Sequence, residues 1–189
     1  MNNLSSPLLV FALEMEARGE FSEYECLFTG VGKVNAAYAL MQYLGEQKKH
    51  PSLIINLGSA GSAVHKTGSV VQCSKFIQRD MDVTPLGFSK YQTPFSPLPV
   101  ILEPEGLKLD LPQAICGTGD SFDTAHTGEE YDIVDMEAYA LARICDAENI
   151  PFTSVKFISD GADDTAHLDW EEALEQGAQA LKNIVVTQL

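Results

Sequence analysis

Five short polar or acidic clusters in this chain each follow an apolar run: Glu14/Glu16, Gly58-Ser59, Gly119-Asp120, Met136-Glu137 and Ser159-Asp160. Carboxylates at the carboxyl end of a buried strand are candidates for giving or taking a proton, because ligands of open α/β sheets sit outside those ends. The sharpest case is Pro151-Phe152-Thr153-Ser154-Val155-Lys156-Phe157-Ile158, a largely apolar run that turns abruptly into Ser159-Asp160-Gly161. Asp160 is either a proton donor or acceptor at a site or a cap on the next turn, and the triplet alone does not decide between them. Glu14 and Glu16 pose the same choice between solvated loop and a carboxylate over a pocket. Coincidence explains one or two such endings, whereas five on one rim describe a catalytic crevice.

To gather these ends the chain needs strands buried on both faces, and it has them. Leu8–Leu13, Glu25–Thr29, Ser52–Leu57, Gly68–Ile77, Ala114–Gly117 and the run after Pro151 read as strands. Between them, Val34, Ala37, Tyr38, Met41 and Leu44 recur at helical spacing and predict a helix with that stripe on the sheet. A second helix is expected near Met136, with Met136, Ala140 and Ile144 inward. A third is expected after Asp169, which with Glu172 suits a capping box, and it turns Leu174, Ala178, Leu181 and Val185 to the core. Residues 84–113 lack periodicity and read as a long loop, either lid or interface. The alternation predicts one α/β domain over residues 1–189, a three-layer αβα arrangement around a mostly parallel or mixed sheet.

The 27 acidic and 12 basic residues give a net charge of −15, which argues against binding nucleic acid or an anionic membrane. Cys26, Cys73, Cys116 and Cys145 are far apart and show neither zinc-ligand spacing nor a dense disulfide framework. No metal or cofactor is expected. With no basic, apolar leader at the start and no apolar run of membrane-spanning length, a cytoplasmic protein is expected. Gly30-Val31-Gly32-Lys33 invites a phosphate-loop reading, but the full spacing is missing and Val34 stands where a magnesium-binding hydroxyl belongs. A tight strand-to-helix turn is the better reading. No Gly-x-Gly-x-x-Gly follows the first strand, which argues against a dinucleotide-binding oxidoreductase.

In order, Ala12-Leu13-Glu14-Met15-Glu16, Thr29 to Ala37, Ile55 to Gly61, Asp80 to Gly87, Thr118 to Phe122, Asp135 to Ala138 and Ile158 to Asp163 resemble the purine nucleoside phosphorylase/nucleosidase superfamily. The most similar branch is that of the 5′-methylthioadenosine/S-adenosylhomocysteine nucleosidases, and the resemblance runs along nearly the whole chain. It implies a nucleoside phosphorylase-like fold, a small purine nucleoside as the partner molecule, and a homodimer. Asp160 would then be the general acid that protonates N7 of the base, and Glu16 rather than Glu14 would position and deprotonate the attacking water. Glu137 would bind the ribose hydroxyls with Met136 against the sugar, Phe122 would stack on the base, and Ser59 would help hold the water. Ser159 and Val83 fall in the substrate site by the same resemblance. Trp170 stands either against the 5′ substituent or over the start of the last helix.

The resemblance also separates water from phosphate as the nucleophile. Phosphorylases of this superfamily surround phosphate with arginines, whereas this chain has Asn56 before Gly58-Ser59 and glutamates in the segment after the first strand. Hydrolysis is therefore expected, with a phosphate-dependent phosphorylase or a silent nucleoside-binding homologue as alternatives. Three departures stand out. Lys156 replaces an arginine usual near the water, Leu86 replaces an aromatic lent by a neighbouring subunit to the 5′ pocket, and the chain is short around residues 90–113 and 123–131.

Overall fold

A computed structural model describes residues 6–123, 127–162 and 166–188, the last stretch by backbone alone over 166–172. Among these residues, seven strands and four α-helices follow in the order β1 (Leu8–Phe11), α1 (Glu14–Ala17), β2 (Glu25–Phe28), α2 (Lys33–Glu46), β3 (Ile54–Gly61), β4 (Val70–Gln78), β5 (Gln113–Thr118), β6 (Ile133–Asp135), α3 (Ala138–Glu148), β7 (Phe152–Asp160) and α4 (Ala166–Gln188). The sheet runs β2-β1-β3-β6-β5-β4-β7, and β3 also pairs with β7. That extra pairing closes β3, β6, β5, β4 and β7 into a ring, with β2 and β1 as an open wing.

Strands β1, β2, β3 and β7 run parallel, as do β4, β5 and β6, and the two sets meet antiparallel. β3 touches β6 at the single pair Gly61–Val134, where the two carboxyl ends cross. Strand ends from both sets therefore reach one place. The glycine-rich stretch after Leu57, expected to lie beyond the strand, is part of this device, since β3 continues through it to Gly61.

Both faces of the sheet are covered, as the continuous apolar strands require. Leu8 and Val10 pack with Ala36, Leu40, Leu141 and Cys145 from α2 and α3. Leu9 and Phe11 point the other way, to Phe21, Leu181 and Val185. This alternation along one strand is the period-two geometry of β structure.

Two expected helix faces are corrected. α2 buries Ala36, Leu40 and Leu44, while Val34 and Tyr38 are 76% and 70% exposed. Positions 34 and 36 lie about 200° apart around a helix, so only one of two apolar stripes can face the sheet. α3 begins one residue past Glu137 and buries Ala138, Leu141, Ala142 and Cys145, leaving Ala140 and Ile144 half-buried. It ends at Asn149 in the left-handed region (φ 54°), after which Pro151 cannot continue a helix. Nor does Asp169 cap the last helix, because α4 already runs from Ala166; Leu174, Ala178, Leu181 and Val185 are buried in it.

The long segment after β4 is a packed strap rather than a free loop. It holds a 3-10 turn at Thr84–Leu86, and Tyr91, Leu102 and Leu109 are buried. Gln72 grips it, with its amide donating to Leu107 O and its oxygen accepting from Leu109 N. The four cysteines are free, and Cys73, Cys116 and Cys145 are buried. Among the described residues no helix is long and apolar enough to cross a membrane, and no group of three or more His, Cys, Asp or Glu side chains could hold a metal ion.

Candidate active site

The chain leaves β1 through a single helical turn, α1, stopped by Arg18 and Gly19 at positive φ. This turn exposes Glu14 and buries Glu16. One carboxylate oxygen of Glu16 reaches back to accept from Leu13 N (3.1 Å). The other accepts from both the backbone N–H and the hydroxyl of Ser59, each at 3.0 Å. A β-carbon at position 58 would stand 3.0 Å from that oxygen, so the glycine of β3 lets the carboxylate approach.

Ser159 and Asp160 are the last residues of β7, a strand buried along its whole length between β3 and β4. Asp160 is 4% exposed. Its Oδ2 accepts from the Ser159 hydroxyl (2.7 Å) and its Oδ1 from Ala162 N (2.9 Å). Gly61, at the crossing of β3 and β6, makes this placement possible, since a β-carbon there would meet Asp160 Oδ1 at 2.5 Å.

Glu137 occupies the residue before α3, on the far side of the chain from Glu16 in sequence. Its Oε1 accepts from Gly32 N at 2.8 Å, a bond made in the turn before α2. Burial and the neighbouring Asp135 carboxylate push its pKa up to about 7, against the pull of Lys156 and the Gly32 N–H. Beneath it lies a buried ion pair, Lys156 Nζ to Asp135 Oδ2 at 2.9 Å, with both side chains 2% exposed or less. Asp135 also accepts from Thr118 Oγ1 (2.5 Å) and Ala138 N (2.9 Å). Burial works against both charges. The Lys156 ammonium and the hydrogen bonds nevertheless hold Asp135 below the usual carboxylate range, and Asp135 and Glu137 hold Lys156 above the usual lysine value. Each partner answers the other, so the pair is ionised.

Seven of the residues singled out in the sequence, Glu16, Ser59, Phe122, Met136, Glu137, Ser159 and Asp160, line one cavity of about 270 Å³. Phe122 is 55% exposed at its rim. Val83 is not among the lining residues. It precedes the 3-10 turn, where Asp82 accepts from both the N–H and the hydroxyl of Thr84 and carries the chain away. The side chain of Trp170 lies outside the described residues. Leu86 is 74% exposed.

Sequence reasoning missed two residues that shape this cavity. Asp135 lines it and anchors Lys156, and a lysine inside the apolar run Val155-Lys156-Phe157 was the available signal, because a buried ammonium needs a buried anion. Arg79 also lines it, its guanidinium donating to Ser121 Oγ (3.1 Å) and lying 3.6 Å from Asp123. Nothing in Gln78-Arg79-Asp80 distinguishes it from a solvated loop arginine. Asn56, expected where a phosphate-binding arginine would stand, is buried instead, with Nδ2 donating to Val10 O (3.2 Å) and Oδ1 accepting from Ser154 Oγ (2.9 Å).

Comparison with known proteins places most of the chain in one family. Residues 19–189 match the family described as the Phosphorylase superfamily. The chain is 34% identical over 185 residues to the 5′-methylthioadenosine/S-adenosylhomocysteine nucleosidase of Haemophilus influenzae (strain PittEE), covering 86% of this chain and 79% of that protein. It is 32% identical to the nucleosidase of the same name from Haemophilus ducreyi, covering 86% and 78%. Among solved structures, the Neisseria meningitidis nucleosidase in complex with methylthio-immucillin-A superposes with a TM-score of 0.80 at 26% identity over 96% of this chain and 99% of that one. A futalosine hydrolase mutant of Helicobacter pylori superposes at 0.82 over 96% of both chains, and at 16% identity that likeness speaks for the fold.

Proposed function

The chain belongs to the phosphorylase superfamily, and from that premise we propose that it is a purine nucleosidase that hydrolyses the N-glycosidic bond of a 5′-methylthioadenosine- or S-adenosylhomocysteine-like nucleoside. The observation that carries this reading is that Glu16, Glu137 and Asp160, drawn from three separate parts of the chain, line one cavity. Breaking the C1′–N9 bond leaves positive charge on the sugar, as in other glycoside hydrolysis. In this reading Asp160 gives its proton to N7, so the electron pair of the broken bond is accepted by a base that leaves neutral. A water oxygen bonds to C1′ and passes its proton to Glu16, which Ser59 holds from two sides. Glu137 accepts from the ribose hydroxyls, and buried carboxylates favour the cationic sugar over the neutral ground state. Phe122 covers the base and Met136 the sugar.

Water rather than phosphate fits the wall facing C1′. Glu16 there repels an anion, Asn56 is used up in strand-to-strand hydrogen bonds, and Arg79 is engaged by Ser121 beside Phe122. The exposed row Val34, Tyr38 and Met41 on α2, with Val31 at the cavity, supports a homodimer built on this face.

A panel of purine nucleosides incubated with and without phosphate tests the proposal. Free base with free ribose derivative, unaffected by phosphate, is the expected result, with 5′-alkylthio nucleosides turned over most efficiently. Sugar 1-phosphate formed only when phosphate is present would assign a phosphorylase instead. Tight binding without base release would leave a nucleoside-binding protein.

A further inference from the structure

The turn that donates to Glu137 is held by a charge cluster outside the cavity. Lys33, the first residue of α2, sends its ammonium to Asp80 Oδ2 (2.5 Å), just past β4, and to Asp120 Oδ2 (3.0 Å), just past β5. The backbone joins in, with Lys33 N donating to Asp120 Oδ1 (2.8 Å) and Asp120 N donating to Asp80 Oδ2 (2.9 Å). A lysine in the first turn of a helix opposes the helix dipole, and α2 has no acidic residue in its own first turn. Asp120 and Asp80 supply the missing negative charge from two other elements. Gly32, at φ 94°, is wedged against this cluster, since a β-carbon there would stand 3.2 Å from Asp120 Oδ1. Isolated surface ion pairs are worth little, but Lys33 is only 13% exposed and both carboxylates also take backbone N–H groups, which makes this a network.

We propose that Lys33, Asp80 and Asp120 form a clamp that fixes the Gly32 N–H on Glu137, making Lys33 a positioning residue for recognition of the ribose hydroxyls. The inference rests on the reading of Glu137 as the ribose-binding carboxylate. The clamp aims one oxygen of Glu137 at the protein so that the other faces the sugar. Without it the turn is free to slide along the cavity mouth, and the carboxylate loses its fixed direction.

The test compares 5′-methylthioadenosine with its counterparts lacking the 2′- or 3′-hydroxyl, for the wild type, Lys33→Met, Lys33→Arg and Asp80→Asn. The clamp predicts that Lys33→Met and Asp80→Asn lower the preference in kcat/KM for the full ribose about tenfold, the worth of one hydrogen bond to a charged group, chiefly through KM. Lys33→Arg is expected to restore most of that preference. Equal losses on all substrates, or an unchanged preference with only a lower melting temperature, would reduce the cluster to a helix cap and overturn the proposal. If the wild type releases no base, the hydrolase reading fails separately, and the same preference is read from dissociation constants by calorimetry.

Discussion

In the proposed role Glu137 accepts hydrogen bonds from a sugar as a carboxylate while sitting buried beside another carboxylate. Burial and Asp135 raise it to about 7, and Lys156 and the Gly32 N–H stop it from rising further. If the carboxylate is the form that binds, as proposed, kcat/KM is expected to fall as pH drops below about 7, and Glu137→Gln should flatten that limb at a lower plateau. The stability sign is opposite to that of a salt-bridged acid. The unfolded chain gives up this proton near the ordinary glutamate value, so ionising Glu137 costs the folded state stability as pH rises from there to about 7. Glu137→Gln keeps the acceptor for Gly32 and should be more stable than the wild type at pH 8, by roughly 1–3 kcal/mol, with the gain vanishing at pH 4. Urea denaturation at the two pH values measures it, and a gain at pH 4 alone would contradict the assigned cause. At this scale the sequence was informative where a carboxylate ended an apolar run, as for Asp160 and Glu137. It was silent on Arg79, whose neighbours give no sign of what its guanidinium meets.

β3 and β7 carry the site because each combines a buried body with a polar end. The apolar runs of β1, β3 and β7 were legible, since burial on both faces leaves no room for alternation. The face of α2 was not, because Ala36-Leu40-Leu44 and Val34-Tyr38-Met41 are both apolar at helical spacing and only tertiary packing chooses between them. The antiparallel pairing of β4 with β7 was hidden for a related reason: pairing partners 80 or more residues apart leave no local trace. Lys156 joins these elements, reaching from β7 to Asp135 at the end of β6. Replacing it with methionine leaves a buried carboxylate without its partner, a loss expected to destabilise by about 3–5 kcal/mol. Lys156→Met/Asp135→Asn should recover part of that in urea denaturation, because the second change removes the stranded charge. A double variant no better than the single would show that Lys156 acts by packing alone.

Across the whole molecule the net charge is −15, and yet α2 turns an apolar row outward next to the cavity. Such a patch fits self-association better than solvent. Val34→Asp combined with Tyr38→Asp is expected to convert a dimer into a monomer in sedimentation analysis while leaving the fold's circular dichroism unchanged; a wild type that already sediments as a monomer would refute the interface. The ring closed by β3–β7 is what lets strand ends from two opposed sets meet, so the architecture and the chemistry share one cause. The central claim is that Asp160 delivers the proton that lets the base depart to water. Initial rates of adenine release from 5′-methylthioadenosine in phosphate-free buffer, for the wild type and Asp160→Asn, test it most directly. The account predicts release by the wild type and a rate about 10²–10⁴-fold lower for the asparagine variant. Equal rates for the two proteins, or a wild type that releases adenine only after phosphate is added, would contradict it.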